Sequence, residues 1–332
     1  MTLNNTAVDP AEVRLDKFAG DMLSFRANDF GYSMNHKSRL IGFYRWFAGS
    51  GLNLMVPNNC GDPFDSSHHH VKINTLDFER EVIELLGPLY GFDKDNIWGI
   101  TTFSGTDGNN HGIYFGAKYL EKKTGLKPVV YVSESAHYSS MRLADLQNLD
   151  LSLIPSNVHG QMITEEFEKA FNPERPALVI YAMGTTFKGG IDDMKAVNAI
   201  LEKHPDTAVF RHVDGALFGG YMPYTEYRDI VNRNVNHFDS IKEEFTEQAA
   251  MMLENAKWLK NELEKMGWPV WLEPMSNTVY FKRPAQSVVK KYDLAPDFDE
   301  RLGGELSHVV VMQHVTKERL KVFLDDVKAG EI

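Results

Sequence analysis

The segment ALVIYAMGTTFKGGIDDMKAVNAILEKHPDTAVFRHVDG (residues 177–215) decides the fold. Residues 177–186 open on an unbroken apolar run and read as a buried strand. Residues 192–204 carry apolar positions at helical spacing, and 208–214 form a second apolar run that breaks at Gly215. Strand, helix and strand at this spacing predict a parallel βαβ unit. The pattern extends toward the N-terminus. Residues 75–91 and 107–125 read as helices that stop at Gly91 and Gly125, and 128–134 as a short buried strand. The spacing therefore predicts an α/β domain built on a mostly parallel sheet with flanking helices. After residue 241 the character changes: 242–267 reads as one long amphipathic helix, 269–284 and 307–315 as strands, and 316–328 as a helix. That is a small α+β unit, with LAPDFDERLGGEL (294–306) as a polar surface loop inside it. Three regions follow: an N-terminal arm (1–60), a large α/β domain (61–241) and a small C-terminal domain (242–332).

Composition excludes several classes of function. The chain has 332 residues, 43% hydrophobic and 24% charged, enough to bury a sizeable core. A formal net charge of −11, with no segment that concentrates Lys and Arg, argues against nucleic acid as a partner. The N-terminus lacks a basic start followed by an apolar core, and no apolar run approaches about 18 residues. The single cysteine, Cys60, cannot form an internal disulfide. These features predict a cytoplasmic protein that does not span a membrane.

Three loops at strand ends or helix starts carry residues capable of chemistry. In FSGTDGNN (103–110), Gly105, Thr106 and Gly108 open a helix whose free N–H groups and hydroxyl suit a phosphate. The same residues also read as a glycine-rich turn with Thr106 or Asp107 as N-cap. In ESAHYSS (134–140), His137 follows a strand. Asp214 ends a buried strand, where a carboxylate needs a cationic partner or several donors. Together a phosphate cradle, a flat imidazole and a buried acid match what pyridoxal 5′-phosphate requires, because the acid keeps the pyridine nitrogen protonated. Cys60, Asp62 and His68, His69 and His70 offer metal-ligand types, but their spacing fits no recognised zinc pattern, and no metal is expected. The aromatic residues of RWFAGSGLNLMVPNN (45–59) read as core or dimer contacts, and Met251 and Met252 as packing.

The motifs NNCGDPF, TLDFEREV, SGTDGNNHG, ESAHYS, GTTFKGGIDD and HVDGALFGG stand in the order and spacing of the group II pyridoxal-phosphate amino-acid decarboxylases. They look most like the histidine and serine decarboxylase branch. The resemblance runs from about residue 50 to 241 and resumes in the C-terminal domain. It implies a fold-type-I transferase-like architecture and a homodimer with active sites at the interface. It also implies that Gly105 and Thr106 bind the phosphate, His137 stacks on the pyridine ring and Asp214 pairs with its nitrogen. Ala216 would pack on the other ring face, and Thr185 would lie near the ring. The implied reaction is decarboxylation of an L-amino acid to its amine and CO2, with histidine favoured over serine.

One motif is absent. The family places a strand and Ser-x-His-Lys directly after FDSI, and here FDSI (238–241) runs into KEEFTEQAAMM. This break reads as several dozen residues omitted from a complete enzyme, with a genuine deletion as the rival. Loss of interior strands should leave exposed core and unpaired sheet edges. Lys242, Lys188 and the His36-Lys37 pair lack the expected context and read as solvated surface lysines. The alternative function is a non-catalytic relative that keeps the pocket or dimer surface without the lysine that condenses with the cofactor aldehyde.

Overall fold

In the computed structural model, which describes residues 10–36, 40–65, 67, 71–243 and 248–330, five parallel strands form the large sheet. They are β1 (Val129–Ser133), β2 (Asp150–Ile154), β3 (Ala177–Ala182), β4 (Val209–Gly215) and β5 (Ser240–Glu243), in the order β2-β1-β3-β4-β5. β3 is buried along its whole length, which is why its sequence is an unbroken apolar run. The helices are α1 (Pro10–Phe25), α2 (Ile41–Ser50), α3 (Leu76–Leu86), α4 (Gly105–Thr124), α5 (Tyr138–Leu146), α6 (Thr164–Ala170), α7 (Met194–Leu201), α8 (Arg233–Asn236), α9 (Ala249–Lys265), α10 (Gln286–Lys291) and α11 (Lys317–Ala329). Ile113 and Leu120 of α4 and Leu143 of α5 pack on one sheet face against Val130, Leu178 and Ile180. Phe167 of α6, Val197 and Leu201 of α7 and Met252 of α9 cover the other, against Val179, Tyr181 and Val213. Alternate residues of β1 and β3 thus feed two cores, the expected consequence of a two-residue side-chain period.

The small domain is an antiparallel sheet of β6 (Val270–Leu272), β7 (Thr278–Lys282), β8 (Ala295–Asp299) and β9 (Gly304–Val310), in the order β6-β7-β9-β8, covered by α9 and α11. The segment after α1 docks on it. Phe30 is fully buried there, its N–H donates to the Tyr292 carbonyl and its carbonyl accepts from Val310 N–H.

Four expectations need correction. Residues 242 and 243 are not helical: they extend β5, Lys242 pairs in register with Asp214, and the helix starts at Ala249. The 294–306 segment is not a surface loop, because it holds β8, a 3-10 turn (Glu300–Leu302) and the start of β9. Lys188 and Lys242 are not solvated either, being only 6% and 7% exposed. Lys37 lies outside the described residues. The strand over 269–284 is two strands, β6 and β7, joined by a turn.

Lys188 ties the domains together. Its Nζ lies 2.5 Å from Asp299 Oδ2, and Arg301 donates to the same carboxylate and to the Ser156 carbonyl. Lys188→Met leaves Asp299 with Arg301 alone and is expected to lower stability by about 3 kcal/mol at neutral pH, measured by urea denaturation. The Arg301 hydrogen bond, then the Lys188 bond, hold the Asp299 carboxyl well below the usual carboxylate range against the opposing effect of burial. A carboxyl lowered on folding contributes stability above its unfolded pKa of about 4, and that contribution fades as the pH falls further. The gap between wild type and variant should therefore narrow below pH 4; a gap constant from pH 7 to pH 2 would remove the ion pair from the account.

The open edges are present. Among the described residues β5 pairs with β4 alone and β2 with β1 alone, Leu151 and Leu153 of β2 are exposed, and Phe103, just before α4, is 91% exposed. Among the described residues no helix is long and apolar enough to cross a membrane.

Candidate active site

A cavity of about 440 Å³ opens where the C-terminal ends of β3, β4 and β5 meet the start of α4, with the small domain and residues 31–33 on its far side. This is where open α/β sheets hold ligands, and the volume suits a small molecule. Gly105, Thr106, His137, Asp214 and Ala216 all line it, so one space gathers five of the six site residues read from sequence.

Thr185 is the exception. It is buried, and its hydroxyl accepts from Gly190 N–H at 2.8 Å inside the 184–190 turn, while its neighbour Thr186 lines the cavity. The turn requires this, since Gly184 and Gly189 have φ values of 103° and 65°, in the left-handed region that favours glycine.

The N-cap of α4 is Ser104 rather than Thr106 or Asp107: its Oγ accepts from Asp107 N–H at 3.2 Å. The first-turn N–H groups of Gly105 and Thr106 precede any intrahelical bond and border the cavity. They form an anion-binding end supported by the positive pole of a 20-residue helix.

Glycines explain how α4 comes so close to the strands. Gly108, Gly112 and Gly116 recur every four residues and give the helix one face without side chains. A Cβ at these positions would fall 2.4 Å from Lys242 Cγ, 2.2 Å from His212 Cε1 and 2.5 Å from Phe210 Cδ1. Side chains of β4 and β5 occupy that space.

The buried acid is held by a residue the sequence reading did not single out. Asn109, 1% exposed, donates from Nδ2 to Asp214 Oδ2 at 2.7 Å and to Ser139 Oγ at 3.3 Å. Its Oδ1 accepts from His212 Nε2 at 3.2 Å, which leaves His212 Nδ1 to accept from Ser240 Oγ at 2.8 Å. His212 is therefore a neutral imidazole with its proton on Nε2. Burial first, and the Lys242 cation second, push its pKa down, against the pull of Asp214. Ala216 N–H adds a 3.2 Å bond to Asp214 Oδ1. Ser139 links the same network to His137, whose Nδ1 lies 2.7 Å from Ser139 Oγ and caps α5 by accepting from Ser139 N–H. Asn109 thus connects the helix start, the imidazole and the acid. The available signals were position: Asn109 lies one turn after Gly105 on the same helix face, and His212 two residues before Asp214 on the same strand face.

His308 of β9 also lines the cavity and bonds the Phe187 and Gly31 carbonyls at 2.8 Å each, fixing the turn and the 31–33 segment over the opening. The aromatic residues of 45–59 are not among the lining residues, and Trp46 is exposed. His68, His69 and His70 lie outside the described residues, and Asp62 accepts from Trp98 Nε1 at 3.1 Å.

An anion-binding helix start, an imidazole at the rim and a buried carboxylate held by an amide fit the phosphate, ring and ring nitrogen of pyridoxal phosphate. Such a cavity, on this sheet, suits pyridoxal phosphate. Residues 116–261 match the conserved domain of pyridoxal-dependent decarboxylases, and the relatives the chain resembles include pyridoxal-phosphate-dependent amino-acid decarboxylases. It is 27% identical to a histidine decarboxylase of Solanum lycopersicum, over 81% of this chain and 78% of that one. It is 26% identical to serine decarboxylase 1 of Oryza sativa subsp. japonica, over 81% of this chain and 67% of that one. An L-methionine decarboxylase from Streptomyces sp. 590 shares the fold, with a TM-score of 0.78 at 18% identity, covering 99% of this chain and 97% of that one. The match to the tomato enzyme is 334 positions long but occupies 81% of 332 residues, so about 65 positions of that relative have no counterpart here.

Proposed function

We propose that the protein decarboxylates an L-amino acid, histidine ahead of serine, with pyridoxal phosphate held in the cavity between α4, β4 and the small domain. The observation that carries this reading is the hydrogen-bonded assembly of Asp214, Asn109, Ser139 and His137 beside the start of α4. Gly105 and Thr106 bind the phosphate through N–H groups and hydroxyl. Asp214 holds the proton of the ring nitrogen, with Asn109 and Ala216 N–H fixing the carboxylate. The His137 imidazole lies against one ring face, and the small side chain of Ala216 meets the other. When bound, the cofactor supplies an electron-withdrawing ring that stabilises the charge left at Cα as CO2 departs. Likeness to the tomato and rice enzymes supports histidine first and serine second as substrate.

The active unit we propose is a cytoplasmic homodimer. α1 and α2 bury no residue within the chain, yet Leu15, Phe18, Met22, Phe43 and Trp46 on them are exposed. A second copy covers these faces, which lead into the 31–33 segment of the cavity wall. The test is CO2 and amine release from histidine, serine and methionine with added cofactor, run on the species sized by sedimentation. Sustained release from histidine by a dimer is the expected result. Release from another amino acid alone would overturn the substrate, and a monomer would overturn the assembly. No release from any would favour the non-catalytic reading, which the missing Ser-x-His-Lys motif supports.

A further inference from the structure

We propose that Lys242 is the lysine that condenses with the cofactor aldehyde in this chain, an inference that rests on the pyridoxal-phosphate reading of the cavity. The residue at the break in the family pattern is not a surface lysine: it sits on β5, 7% exposed, among the residues that line the cavity. Among the described residues it is the only lysine in that lining. It pairs in register with Asp214 on the neighbouring strand, so the two side chains leave the sheet on the same face. Its stem runs over the first turn of α4, in space left by the missing side chain of Gly108, where a Cβ would fall 2.4 Å from Lys242 Cγ.

These contacts carry the Lys242 side chain from the strand position beside Asp214 past the first turn of α4, on the cavity wall that the helix start and the acid share. A ligand whose phosphate lies at the one and whose ring nitrogen meets the other presents its remaining substituents to the cavity wall that includes Lys242. A fixed approach is what condensation of an amine with an aldehyde requires. Lys188, the other buried lysine near the domain junction, is engaged with Asp299 and faces a different recess. β5 therefore supplies, four residues after Phe238, an amine that the family pattern would place further along the chain.

The step balances without any other reactant. The ammonium first releases one proton to solvent, and the neutral nitrogen attacks the aldehyde carbon. The carbon–oxygen double bond is replaced by a carbon–nitrogen double bond, and the oxygen leaves as water with the two remaining nitrogen protons and, for the protonated product, one proton taken back from solvent. Borohydride then adds hydride to carbon and leaves a stable secondary amine.

Two ligands separate this inference from the reading beneath it. Pyridoxamine 5′-phosphate has no aldehyde and reports on the cavity alone; pyridoxal 5′-phosphate followed by borohydride reports on the amine. The full chain is dialysed against each, reduced where the aldehyde is present, digested and mapped by mass spectrometry. The expected result is one reduced pyridoxyl group per chain on the peptide containing Lys242. Lys242→Arg keeps the cation but cannot form the adduct, and should bind pyridoxamine phosphate within about tenfold of wild type while trapping no pyridoxal phosphate. Lys242→Gln, with circular dichroism as a fold check, guards against crowding by arginine. Pyridoxamine phosphate binding with the adduct absent or on another lysine would overturn the role of Lys242 and leave the cavity reading standing. Failure of both ligands to bind would overturn both.

Discussion

Asp214→Asn is expected to weaken binding of pyridoxamine phosphate by at least about 100-fold, and to remove any decarboxylation with it. The carboxylate is 7% exposed and accepts from Asn109 and from Ala216 N–H, so its charge is kept in place with little water around it. A protonated ring nitrogen brought against it forms an ion pair in a low-dielectric setting. Removal of one partner from such a pair leaves the other buried and uncompensated, a loss of about 3–5 kcal/mol, or two orders of magnitude and more in affinity. Asparagine has nearly the same shape and keeps an oxygen for Asn109, so the variant should fold, which circular dichroism and thermal melting check. The measurement is equilibrium dialysis of the unreduced ligand, because it does not depend on any lysine. A variant that binds as wild type does would separate Asp214 from the ring nitrogen and return the carboxylate to a purely structural place at the end of β4.

The parts of the site that sequence disclosed are those whose local chemistry is self-contained. A strand end followed by glycine, a glycine-rich helix start and a histidine after a strand each announce themselves within a few residues, and Gly105, Thr106, His137 and Asp214 so read line one cavity, joined by Ala216, which only the family resemblance had suggested. Thr185, suggested by the family resemblance, is not among the lining residues: in the turn that holds the left-handed glycines 184 and 189 its hydroxyl accepts from Gly190 N–H, and Thr186 lines the cavity. Asn109 and His212 went unread because their role is a contact between a helix and a strand about 100 residues apart, which no local period encodes. Lys242 was misread for a related reason. Its sequence neighbours favour an amphipathic helix, but pairing with β4 draws residues 240–243 into the sheet, a tertiary override of local propensity. The acidic 294–306 stretch misled in the same way: Asp299 is charged and buried because Lys188 and Arg301 meet it, and those partners lie outside its own segment or across a turn.

Gly112→Val should be the most damaging small substitution in α4, lowering stability by about 2–4 kcal/mol and weakening cofactor binding in parallel. Glycine in a helix interior is ordinarily unfavourable by roughly 0.5–1 kcal/mol relative to alanine. Replacement at an open position therefore helps: at Gly20 in α1 an added Cβ meets nothing within 4 Å, and Gly20→Ala should be mildly stabilising. At Gly112 the added Cβ falls 2.2 Å from His212 Cε1 and 2.5 Å from its Nδ1. The ring cannot turn aside without releasing Ser240 or Asn109, and it is 1% exposed, so overpacking outweighs the gain in helix propensity. Valine adds two methyl groups to that clash and gives up part of the propensity gain. The functional consequence follows from the same contacts. If His212 is displaced it no longer fixes Asn109, and the bond that holds the Asp214 carboxylate loses its support. Pyridoxamine phosphate affinity, measured well below the melting temperature of the variant, should then fall by about tenfold or more. A lowered melting temperature with unchanged affinity would mean that His212 only fills space beneath α4, and that Asn109 holds Asp214 without it.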